Sequence, residues 1–92
     1  MANELPTTVD GAVRLLMSMV EESEQTKIAA MDGDDIYTLH FGLGMWIRNH
    51  MGFYAGNAQL LKDTGESEPD NASMIIIRAF RDRLRIDQPK IH

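Results

Sequence analysis

The residues able to do chemistry in this chain concentrate between positions 40 and 57. That stretch holds His40, Trp46, Arg48, Asn49, His50, Phe53, Tyr54 and Asn57. A histidine changes charge near neutral pH and can serve as acid, base or ligand. A guanidinium forks onto a carboxylate or phosphate. Aromatic residues and arginine dominate binding hot spots. Two chemistries are therefore open. One is a small-molecule pocket accepting an anion or nucleotide, built from His40, Arg48, His50, Tyr54 and Asn57. The other is a recognition surface for a macromolecule, using the aromatic corner Trp46, Phe53 and Tyr54 or the acidic segment 21–35. Each residue also has a purely structural use. His40 can be a core histidine bonded to a backbone carbonyl, and Arg48 a salt bridge to one of the acids. The aromatics can plug a helix corner.

Catalytic motifs fail on spacing. A calcium loop starting at Asp32 would need glycine at Tyr37 and glutamate at Leu43. No pair of histidines has the four-residue spacing of a helical zinc site. Gly42-Leu43-Gly44 lacks a third glycine and follows no strand signal, so it is no dinucleotide fingerprint. There is no phosphate-binding loop of the Walker type and no nucleophile elbow. Cysteine is absent, which removes disulfides, thiol catalysis and Cys-ligated metals. Asn71-Ala72-Ser73 matches a glycosylation sequon but reads better as a helix first turn. The expectation is a non-enzymatic protein without cofactor or bound metal.

Charge narrows the partners. The net charge is −5, which argues against nucleic acid. Residues 1–70 carry twelve acidic and four basic residues, whereas residues 71–92 carry five basic and two acidic ones. Three of the bases, Arg78, Arg81 and Arg85, share one face of a helix. Stacked cations repel unless an anionic group lies nearby. That group could be the acidic segment 21–35 of the same chain, the same segment of a second copy, or a partner. No apolar run is long enough to span a membrane. The opening MANELPTTVDG lacks a basic region followed by an apolar one, so the expectation is a cytoplasmic protein without signal peptide.

The elements that must position these groups read as helices. The chain of 92 residues and 10.4 kDa is the size of one domain, 1–92, with an ordered core of about 6–86. Thr7 or Thr8 can cap a first helix with the apolar stripe Val9, Ala12, Val13, Leu16, Met17 and Val20. Ser23 can cap a short second helix. Asp32 can cap a third that runs to about Met51 and stops at Gly52. Asn57 caps a fourth, Ala58 to Thr64, closed by Gly65. A fifth starts at Pro69 and Asp70, with Asp70 as cap, and runs to about Arg85, ended by Ile86-Asp87-Gln88-Pro89. The fold class is all-α: a compact bundle of about five helices around a buried central helix, about residues 33–51. On a regular helical wheel His40 falls in the middle of the apolar arc formed by Ile36, Leu43, Ile47 and Met51. Gly42 and Gly44 then mark the close approach of another helix or a ring. Seven methionines, the aromatic corner and the Met74–Ile77 run are much apolar surface for so short a chain. A homodimer burying Met74 and Ile77 is the expectation that follows.

The stretch LHFGLGMWIRNH (39–50), followed by GFYAGN (52–57) and Leu60-Leu61, resembles a small bacterial and phage-associated domain family of unknown function. So does Pro69-Asp70-Asn71-Ala72-Ser73 leading into a helix with Ile77 and Arg83-Leu84. The resemblance covers roughly residues 6–86. It implies no activity, cofactor or catalytic residue. It implies that the block from His40 to Asn57 is the family's identity, for packing or for binding. The function expected is a small binding protein that occludes or regulates a protein partner, of the antitoxin, immunity-protein or phage-inhibitor kind.

Overall fold

Two of the helices start where a side chain accepts from a backbone N–H, and one of these ends at a left-handed glycine. The computed structural model describes residues 5–87. Helix α1, Val9–Met19, is capped by Thr8, whose hydroxyl accepts from the Gly11 N–H at 2.9 Å. Its stripe buries Ala12, Val13 and Leu16. Helix α2, Glu22–Ala29, opens with Glu21 in the cap position and no side-chain cap bond. Ser23 therefore lies inside the helix rather than capping it. Acids in the first turn suit the helix dipole. The α1–α2 corner is tied by the Gln25 amide, which donates to the Met17 and Val20 carbonyls at 3.0 and 2.9 Å.

The third segment departs from the expected continuous helix. It is three short pieces: a 3-10 helix Asp35–Leu39, a π-helical turn His40–Gly44, and an α-helix, α3, Met45–His50. Asp32 does act at its start, accepting from the Asp34 and Asp35 N–H groups at 3.2 and 3.0 Å. A 3-10 turn advances the chain faster around the axis than an α-helix, and a π turn more slowly. A wheel of constant step therefore misplaces residues across the junction. Ile36, Ile47 and Met51 are core residues, but His40 is half-buried and not at the centre of an apolar arc.

Helix α4, Ala58–Thr64, is bounded as its sequence signals require. Asn57 accepts from the Leu60 N–H, and Gly65 closes the helix in the left-handed region at φ +82°. Helix α5, Pro69–Asp87, is the longest. Asp70 sits within its first turn rather than at the cap. Residues 88 and 89 of the expected stop lie outside the described residues, as does Lys90 of the basic C-terminal segment.

The centre of the bundle is α5, not the third segment. Helices α1, α2, α3 and α4, the 3-10 helix and the π turn all pack against it. Ala72, Ile76, Ile77, Phe80 and Leu84 are fully enclosed, and Met74 is buried on the adjoining side. Burial around so much of a helix requires neighbours on several sides. Met74 and Ile77, expected at a dimer seam, are thus buried within one chain. Among the described residues there is no strand, and the protein is an all-α bundle with a radius of gyration of 12.9 Å.

Candidate functional site

Arg48 is the pivot of the block from His40 to Asn57. Its side chain points inward from α3 and is 6% exposed. Nε pairs with the Asp70 carboxylate at 3.3 Å, Nη1 donates to the Ser73 hydroxyl at 3.1 Å, and Nη2 donates to the His40 carbonyl at 3.3 Å. One guanidinium thereby joins α3 to the start of α5 and to the π turn. Gly44 packs closely beside it. A Cβ there would lie 3.0 Å from Arg48 Nη1 and 3.3 Å from the Leu39 carbonyl oxygen.

Asn57 is equally committed. Its amide donates to the Pro6 and Met51 carbonyls, both at 2.8 Å, while its oxygen caps α4. Gly52, at φ +86°, packs against it so closely that a Cβ would come within 2.9 Å of Asn57 Cβ and 2.6 Å of Leu5 Cδ1. Phe53 is buried in the same corner, and Tyr54 next to it is exposed. The polar atoms of Arg48 and Asn57 are occupied by the fold. Arg48 bonds the His40 carbonyl, whereas the Asn57 amide is turned to Pro6 and Met51.

The basic stripe of α5 also faces partners within the chain. Arg85 donates to the Ala29 and Met31 carbonyls at the end of α2. Arg78 donates to the Tyr37 hydroxyl and lies over its ring, 5.3 Å from the centroid. Arg81 bonds Asp82 at 3.3 Å. The Asp32 carboxyl is held below the usual carboxylate range, first by the Asp35 N–H, then by the Asp34 N–H and the positive charge of Arg81, against an opposing desolvation. Arg83 pairs with Asp10 at 3.6 Å.

An apolar groove lies beside this block. The imidazole of His50 stacks on the Trp46 indole at 4.6 Å and 12°, with Nδ1 3.0 Å from the Trp46 carbonyl oxygen. His40 meets Phe41 edge to face at 4.9 Å. Asn49 points to solvent on another side of α3. Phe41 is 76% exposed, Met45 46% and Met19 45%. Between the α1–α2 corner and the π turn runs a groove of about 430 Å³, walled by Met19, Val20, Ile28, Leu39, Leu43 and Trp46. Glu24 is the one charged residue lining it, and Gly42 lies at its mouth with nothing within 4 Å of where a Cβ would sit.

Of the aromatic corner expected from sequence, Trp46 belongs to this groove, Phe53 to the core, and Tyr54 to the surface beyond it. Phe41, Met45 and the α1–α2 wall were missed. Their signal was faint but present: an element apolar nearly all round, carrying two glycines, where one face would suffice for packing.

None of the curated proteins and none of the solved structures matches the chain. A family model does match, over residues 5–84, and so spans the caps, the π turn and most of α5. The chain belongs to that family, described as a domain of unknown function (DUF6794).

Proposed function

We propose that this protein is a small non-enzymatic binding protein, of a bacterial or phage-associated kind, that occludes or regulates a macromolecular partner in the cytoplasm. One observation carries the reading. Met19 stands exposed in the wall of the apolar groove that Trp46 also lines, and Phe41 and Met45 are exposed on the turns next to it in sequence. Scattered exposed apolar residues are ordinary, whereas an apolar groove with an exposed methionine in its wall marks an interaction surface. Methionine and aromatic side chains are enriched at such surfaces. The π turn that carries Phe41 is a form common at functional sites. The anion-pocket reading has weaker support, because Arg48 and Asn57 are bonded within the fold and the groove is lined by a carboxylate.

Affinity capture from native host lysate tests this, comparing the natural chain with a Phe41→Asp/Met45→Asp double variant. Both substitutions are at exposed positions, so circular dichroism should be unchanged. A protein that co-purifies with the natural chain and is lost with the variant supports the reading. Equal capture by both, or recovery of a bound metabolite and no protein, overturns it.

A further inference from the structure

Beyond the presence of an interaction surface, its chemistry specifies an occupant. We infer that the groove between the α1–α2 corner and the π turn receives one amphipathic α-helix of a partner protein, with its apolar face inward and a basic flank against α2. This rests on the protein-binding reading given above.

Three observations lead to it. The groove is bounded by helical walls on both sides, with Met19, Val20 and Ile28 facing Leu39, Leu43 and Trp46. A partner helix supplies apolar anchors at i, i+3, i+4 and i+7 to such a groove. A partner strand would need a sheet edge, and the described residues contain no strand. A proline-rich segment prefers a groove lined by several aromatics, and Trp46 is the single aromatic here.

The rim then sets the sign of charge. Glu24 lines the groove, and Glu21 and Glu22 stand exposed on the same opening turn of α2. Lys27 pairs with Glu24 at 3.4 Å, a solvated contact that leaves the turn net negative. Arg48, Arg78 and Arg85 are all turned elsewhere, to Asp70, Tyr37 and the carbonyls of Ala29 and Met31. Complementary charge fixes orientation and speeds encounter. Gly42 at the mouth has open space where its Cβ would be, which leaves room for a helix backbone to approach.

Trp46 is the single tryptophan of the chain, so its emission reports occupancy of the groove directly. The full chain is titrated with synthetic peptides of about five helical turns. One has a leucine face and a lysine face; a second replaces the lysines by glutamates; a third keeps the lysines but replaces the leucines by glutamines. The expected result is a Trp46 emission shift with the first peptide, at an affinity about tenfold above the second and weakening with salt. Gly42→Arg should abolish the shift, and Glu24→Lys should remove the preference for lysine; both sites are exposed and leave the fold intact.

Equal binding of the leucine–glutamate peptide overturns the basic class. Equal binding of the leucine-free peptide, or no response to any, overturns the helix-in-groove assignment. A Trp46 shift that follows protein concentration without peptide, with dimer mass in sedimentation, assigns the groove to a second copy instead. Any of these can occur while lysate capture still depends on Phe41 and Met45, so the failure of this inference is separable from failure of the broader reading.

Discussion

Arg48 shows how one side chain decides what a sequence motif is for. Three of its donors are engaged, and two of the acceptors belong to α5 while the third belongs to the π turn. Replacing it by methionine should retain the stem's packing and remove the fork, destabilising the protein by about 2–3 kcal/mol in urea unfolding. Lysine should not restore that loss, because a single ammonium cannot reach three divergent acceptors. A fully stable Arg48→Lys variant would show that the fork is dispensable. Asp32 makes a pH prediction. Its folded carboxyl titrates below the ordinary carboxylate range, so its contribution is present above that range and is lost as pH falls through the lowered value. Asp32→Asn should flatten the acid limb of the stability curve, and an unchanged limb would remove Asp32 from the account of it. Single residues were legible where their partners are local. Thr8 and Asn57 cap helices three residues ahead, and the sequence says so. The bond from Asn57 to Pro6 spans 51 positions, and that from Arg48 to Ser73 spans 25. No spacing rule reaches that far.

At the scale of elements, the third segment is where local and tertiary preference part. Its apolar anchors Ile36, Ile47 and Met51 were readable from periodicity. Its broken course was not, because the break depends on a carbonyl taken by Arg48 and on the close seat of Gly44 against Leu39 and Ile77. The two glycines separate these causes. Gly42 has helical backbone and open space, so Gly42→Ala should stabilise by about 0.5–1 kcal/mol. Gly44→Ala gains the same propensity but presses a methyl against a pinned guanidinium and a backbone oxygen. It should destabilise by about 1–2 kcal/mol net. Thermal unfolding of the pair checks both signs, and a stabilising Gly44→Ala would contradict the packing explanation. The start of α2 and the start of α5 each differ by one or two residues from their cap signals, as helix ends commonly do.

At the scale of the whole molecule, α5 organises the bundle, and its two faces do different things. The apolar face makes the core; the arginine face gathers the chain from Ala29 to Tyr37. Charge asymmetry between the halves of the sequence was legible, and its use within one chain was among the alternatives. The centre was misread, because a long apolar arc on the third segment looked like the more enclosed helix. Phe80 is the largest of the fully buried side chains. Phe80→Ala should cost about 3–5 kcal/mol, a large fraction of the stability of a domain this small. Far-UV circular dichroism with a urea titration would show a strongly lowered midpoint, and a near-native midpoint would place the core elsewhere.

The proposed recognition surface was legible only in part. Trp46 is marked by its type, whereas Phe41 and Met45 stand exposed in and just after the π turn. The most direct test of that surface is site-specific photocrosslinking in the native host. A benzophenone amino acid at Phe41 is compared with one at Gln59, an exposed position on α4 outside the groove. A discrete protein adduct from position 41 and none from position 59 is the predicted result. Adducts of equal yield from both positions, or none from position 41, would contradict a binding role for the π turn.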